Sequence, residues 1–85
     1  MKQPYYVLDE NTRHIIIELL NKAKELDLGN VNFHYYAAPG SDNTDFYITE
    51  YKTYWELVVK QRWKKTTDIY KILDGSITYD CSEKD

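Results

Sequence analysis

The apolar positions in the first third of the chain recur at helical spacing. Ile16, Leu19, Leu20, Ala23 and Leu26 fall on one stripe, and His14, Glu18, Asn21, Lys22 and Glu25 fall on the opposite side. This predicts an amphipathic helix from about Glu10 to Leu26. Asp9 suits its N-cap, Gly29 its stop, and Glu18 with Lys22 makes a favourably oriented i,i+4 pair. Ahead of it, Tyr5–Leu8 (YYVL) follows Pro4 and reads as a short strand. Beyond it, Val31–Ala38 is rich in β-formers. Pro39-Gly40 suits the centre of a type II turn, Ser41-Asp42-Asn43 continues the loop, and Thr44–Tyr51 supplies the returning strand of a hairpin.

The stretch Tyr51–Leu73 admits two periods. Trp55, Val58, Val59, Thr66, Ile69, Tyr70 and Leu73 lie on one helical stripe, with Lys60, Lys64 and Lys71 pointing the opposite way. Thr53 and Glu56 have the spacing of a capping box, and Asp74-Gly75 suits a helix C-terminus. Against this, the odd positions from Tyr47 to Trp63 alternate like a half-buried strand. A single strand of that length is far longer than usual and leaves the capping box unused. The expectation is therefore a strand ending near Tyr51 and a long helix starting at Tyr54. Arg62 falls on the apolar stripe, where it either snorkels at the edge or joins a buried ion pair. Ser76–Cys81 reads as a last strand and Ser82–Asp85 as a charged tail.

The resulting order, β-α-β-β-α-β, resembles the ferredoxin-like fold. The resemblance implies an α+β domain with a four-stranded antiparallel sheet and two helices on one face. The other face would be open, and side-chain alternation predicts what it carries. Val31, Phe33, Tyr35, Phe46, Ile48, Ile77 and Tyr79 turn inward, as do Tyr5 and Val7. Tyr6, His34, Tyr36, Tyr47 and Tyr51 turn outward, where a wet sheet would ordinarily show Lys, Glu and Thr.

Composition narrows the function classes. The 85 residues make one domain, 1–85, with room for a modest core. Burial stabilises so short a chain only marginally, so a homodimer or another partner is a natural supplement. The longest aliphatic run is Ile15-Ile16-Ile17, so no membrane association is expected, and nothing resembles a secretory leader. One cysteine, Cys81, excludes an internal disulfide and a cysteine zinc cage, and the expected location is a reducing cytoplasm. Net charge is −3, divided as −4 over residues 1–51, +4 over 52–71 and −3 over 72–85. The acidic total opposes general nucleic-acid affinity, while the basic segment keeps a local version alive.

Nine tyrosines and two tryptophans exceed the needs of one small core. Such aromatics are enriched at recognition surfaces, where they offer contact area at little cost in rotamer entropy. Three uses of the tyrosine face stay open. The first is protein contact, including a homodimer. The second is single-stranded RNA, gripped by the ridge Lys60, Lys64, Lys65 and Lys71 and stacked on the sheet. Tyr6-Val7 is similar to the first motif of RNA-recognition domains, although Thr44-Asp45 stands where that family has a basic-Gly lead. The third is plain packing of the tyrosines under loops or the tail.

Catalysis has little support, since no nucleophile elbow, P-loop or metal-ligand spacing occurs, and neither a metal nor a cofactor is expected. Asp9 is placed like the metal-binding aspartate of the ferredoxin-like Cas2 nucleases, a position its N-cap role already explains. In general style the chain is similar to small accessory proteins of large bacteriophages, being short, acidic and rich in Tyr, Asp and Lys. That likeness implies stoichiometric inhibition of a host enzyme, nuclease or toxin. The function expected is thus a non-catalytic binding protein, with an RNA-binding module as the alternative.

Overall fold

One helix is followed by five strands in the computed structural model, which describes residues 3–36 and 43–85, the side chain of Tyr36 excepted. The elements are α1 (Glu10–Glu25), β1 (Asn30–Tyr36), β2 (Asn43–Glu50), β3 (Trp55–Gln61), β4 (Thr66–Leu73) and β5 (Ser76–Lys84). The strands form one antiparallel meander in sequence order, β1-β2-β3-β4-β5. The ferredoxin-like expectation of four strands and two helices is therefore overturned. The expected turn at Pro39-Gly40, with Ala37, Ala38, Ser41 and Asp42, lies outside the described residues.

The helix α1 starts as its sequence dictates. The Asp9 carboxylate accepts the Thr12 amide at 2.7 Å, satisfying a donor that the first turn leaves unpaired. Hydrogen bonding by the Thr12 side chain first, and by this amide second, holds the Asp9 carboxyl below its ordinary pKa. Its end differs from expectation. Asp27, not Gly29, takes the left-handed conformation (φ 57°). The Leu28 amide then donates to the Ala23 carbonyl at 2.8 Å and the Asp27 amide to Lys24, a Schellman closure.

The long second helix does not form. Its residues make the hairpin β3–β4, joined by Arg62–Lys65 with Lys65 left-handed (φ 55°). The physical reason lies in two residues that the helical stripe leaves on the wet side. Leu57 and Ile72 are buried in the sheet, where β3 turns Trp55, Leu57, Val59 and Gln61 inward and β4 turns Thr66, Asp68, Tyr70 and Ile72 inward. Val58, Val59, Thr66, Thr67, Ile69 and Ile72 are β-branched and favour this pleated surface. The spacing of Thr53 and Glu56 is coincidental to a four-residue loop, closed by the Tyr51 amide on the Tyr54 carbonyl at 2.9 Å. Asp74-Gly75 is likewise no helix end. With φ of 52° and 79° it is the two-residue turn of the β4–β5 hairpin, pairing Leu73 with Ser76, and both positions need positive φ.

The segment expected as a first strand, Tyr5–Leu8, bends at Tyr5 and Tyr6 and lies on the helix side of the sheet without strand partners. Its phase is the reverse of that expected, with Leu8 buried, Tyr6 packed on the core and Val7 77% exposed. Side chains of the sheet replace a strand neighbour. The fully buried Asp68 carboxylate accepts the Tyr5 and Tyr6 amides at 2.9 and 2.8 Å and also the Ser82 hydroxyl. The Tyr70 hydroxyl donates to the Tyr6 carbonyl at 2.9 Å. Below this segment Ile16, Leu20 and Ala23 of α1 pack on Phe46, Ile48, Leu57, Val59, Tyr70 and Ile72. Phe33 stacks on Phe46 at 4.5 Å, and Tyr6 meets Phe46 edge-on at 5.7 Å.

One irregularity sets the phase of β5. Ile69 pairs with Cys81 but Tyr70 pairs with Tyr79, so Asp80 is an extra residue, a β-bulge. Before it, Ile77 and Tyr79 face the core. After it the alternation is reset, placing Ser82 on the core side beside Asp68 and Cys81 on the other.

Candidate functional site: the open face of the sheet

The sheet face away from α1 is organised as three rows, because residues paired across antiparallel strands share a face. The middle row runs Asn32, Tyr47, Val58, Ile69, Cys81. From β2 to β5 it is apolar or weakly polar. Tyr47 is 36% exposed, and Val58, Ile69 and Cys81 are partly buried. On one flank lie His34, Asp45, Lys60, Thr67 and Glu83, and on the other Thr49, Glu56, Lys71 and Thr78. Both charge signs therefore border a central apolar line.

The tyrosine platform expected from sequence is only partly assembled here. Tyr47 is on the face, with the Lys60 ammonium 5.8 Å from its ring centroid. Tyr51 stands at its margin in the β2–β3 loop, 46% exposed and stacked on Tyr54 at 5.3 Å, with Lys71 5.2 Å from the Tyr54 ring. The Glu56 charge first, and partial burial second, raise the Tyr51 hydroxyl above its ordinary pKa. Tyr6 is on the opposite side of the sheet, packed on the core, so it is no part of this surface. Tyr36 ends β1, and its side chain lies outside the described residues. The expected lysine ridge is dispersed. Lys60 and Lys71 occupy different flanks, while Lys64 and Lys65 sit in the β3–β4 loop.

His34 projects from the face and belongs to a cluster the sequence did not reveal. Its Nδ1 hydrogen-bonds the Asp45 carboxylate, whose other oxygen accepts Arg62 Nε at 2.9 Å. Asp45 is only 4% exposed, roofed by His34 and Arg62, both about half in solvent. Enclosure would raise its pKa, but the hydrogen bonds and positive charge of Arg62, then those of His34, outweigh this and hold it below the ordinary value. Arg62 thus pairs across strands instead of snorkelling from a helix. The Arg62 amide donates to the Asn43 carbonyl at 3.1 Å, so the cluster also fastens the β3–β4 loop to the start of β2. Beyond it Trp63 is 67% exposed, between Arg62 and Lys64.

Val58, Ile69 and Cys81 are the surface residues that sequence reasoning missed. The helical reading placed Val58 and Ile69 in a buried stripe. The alternation from Trp55 to Gln61 was the signal that would have turned Val58 outward. Among the described residues no group of three potential ligands could hold a metal ion, and no helix is long and apolar enough to cross a membrane. Comparison with known protein families, curated proteins and solved structures finds no match.

Proposed function

We propose that this chain is a non-catalytic binding protein whose contact surface is the open face of the sheet. The observation that carries the reading is the middle row, where Tyr47, Val58, Ile69 and Cys81 stand side by side on four adjacent strands. A solvated sheet face gains nothing from such a line, whereas an apolar centre with a polar rim of both signs suits a protein contact. Action would be by occupancy, in keeping with the likeness to bacteriophage accessory proteins, and any inhibition would be stoichiometric.

The test is capture from a lysate of the source cells on immobilised protein, with and without ribonuclease, comparing wild type with Ile69→Glu. Ribonuclease-resistant capture that disappears in the variant is expected. Equal capture by both proteins removes the face from consideration.

A second reading rests on Trp63, whose exposed indole between Arg62, Lys64 and Lys65 has the make-up of a base-stacking tip for single-stranded RNA. The nearby acids Glu83 and Asp85 and the negative total charge weaken the field it would need. An oligonucleotide bound with an affinity that falls steeply as salt rises, and released by Trp63→Ala, would favour this reading over protein contact.

A further inference from the structure

We infer that the occupant of the open face is a second copy of this chain, packed face to face about a two-fold axis running across the strands along the row Tyr47–Val58–Ile69–Cys81. The inference rests on the reading of this face as a protein-contact surface and names the partner.

The charge pattern selects both partner and axis. On β3, Lys60 and Glu56 stand two residues to either side of Val58, so they lie on opposite flanks of the row. Rotation about an axis along the row exchanges the flanks. Lys60 of each copy then meets Glu56 of the other, and this happens twice. The same operation sets Asp45 against Thr49 and Lys71 against Thr67, so no like charges meet. An axis parallel to the strands instead brings like charges together. Over β3 it opposes Lys60 to Lys60 and Glu56 to Glu56, and between β3 and β4 it opposes Asp45 to Glu83 beside a favourable pair of Glu56 with Lys71. A surface that complements itself under one rotation with no like-charge pair is what an isologous contact requires.

The shape agrees. Under this rotation the strands of the two sheets run nearly aligned, and such sheets pack about 10 Å apart with interdigitating side chains. Val58 and Ile69 would supply the centre. Association strand to strand is opposed at β5, where the Asp80 bulge and Lys84 break the edge. The β3–β4 loops carrying Trp63 would emerge at opposite ends of the pair, so the dimer would be the unit that meets any further target.

The axis places Cys81 of each copy near Cys81 of the other, and this is the only cysteine in the chain. Sedimentation equilibrium on the full chain, together with cross-linking by a bismaleimide spanning about 10 Å, tests the arrangement. The expected result is a concentration-dependent dimer that links through Cys81. Lys60→Glu and Glu56→Lys should each weaken it at least about tenfold, and the double exchange should restore it. Circular dichroism confirms that each variant is folded. A wild-type chain that stays monomeric throughout the micromolar range overturns the inference, as does a dimer that the double exchange fails to restore. If wild type is monomeric yet Ile69→Glu abolishes capture of another protein, the second copy is wrong and the contact face survives. Indifference of both measurements to Ile69→Glu sinks both.

Discussion

Among the described residues each side of the sheet holds one nearly buried aspartate, and the two are satisfied in opposite ways. Asp68, on the helix side, is neutralised by dipoles alone: two backbone amides and a hydroxyl. Asp45, on the open side, is neutralised by side chains that are themselves half in water, Arg62 and His34. The first carboxylate organises a piece of backbone that has no strand to pair with. The second ties a loop to a neighbouring strand through partners that stand half in solvent. A buried charge on the inner face is thus an architectural clamp, and one on the outer face is an adjustable fastening.

The difference predicts an ordered series of effects. Asp68→Ala strips two partly buried amides and the Ser82 hydroxyl of their acceptor and releases the Tyr5–Leu8 segment, so unfolding free energy should fall by about 3 kcal/mol. Urea denaturation measures the loss, and amide exchange should show residues 5 and 6 unprotected. A cost no larger than that of Asp45→Ala would erase the contrast between the two sites.

Tyr70→Phe removes only the hydroxyl that donates to the Tyr6 carbonyl and should cost about 1 kcal/mol. It also has a signature in pH. Burial, and then the Asp68 charge, push the Tyr70 hydroxyl up to about 12. Its folded value lies above the unfolded one, so its contribution is complete below pH 10.0 and is lost as pH climbs towards about 12. Wild type should therefore show an alkaline loss of stability that Tyr70→Phe lacks. Identical alkaline profiles would show that Tyr70 is not so enclosed.

Asp45→Asn should cost about 1 kcal/mol or less at neutral pH, because both partners are solvated. Here the sign is reversed. The folded pKa lies below the ordinary 3.8, so the stabilisation is present above that value and disappears as pH falls through the folded one. The gap between wild type and Asp45→Asn should close on acidification, and a gap that widens in acid would refute the assignment. Smallest of all, Lys71→Ala loses an exposed cation beside the Tyr54 ring and should shift stability by no more than about 0.5 kcal/mol in thermal melts.

How far the fold could be read from sequence depended on whether local signals were unique. Asp9 and the stripe Ile16–Leu20–Ala23 specify one structure, and α1 formed as they require. The hairpin partners Phe46 and Ile48 likewise kept their expected inward phase. In Trp55–Leu73 two periods coexist, and local capping rules favoured the one that lost. A helix there would have left Leu57 and Ile72 wet, and burial of those two residues with their neighbours outweighs a capping box worth about 1 kcal/mol. Asp74-Gly75 is a helix stop or a hairpin turn depending on what flanks it, so its meaning could not be fixed before the strands were. The open face inherits these outcomes. Tyr47 and His34 were legible from alternation, whereas Val58 and Ile69 were hidden by the wrong period. The pairing of His34 with Asp45 and Arg62 needed a register that no single segment encodes.

The extra residue at position 80 makes the end of the chain a matter of counting more than of chemistry. Any side chain can stand there, because a bulge asks only for one more link of backbone. Remove that link and Cys81 follows Tyr79 directly, outward opposite Ile69, with Ser82 still inward at Asp68. It is a strand that kept the link but lost the bulge that would thrust Cys81 under the sheet and Ser82 out into water. A deletion of Asp80 should therefore keep the pairing of β4 with β5 and change the melting temperature little, whereas one residue inserted between Cys81 and Ser82, which turns Ser82 away from Asp68, should lower it well beyond Asp80→Asn or Asp80→Lys.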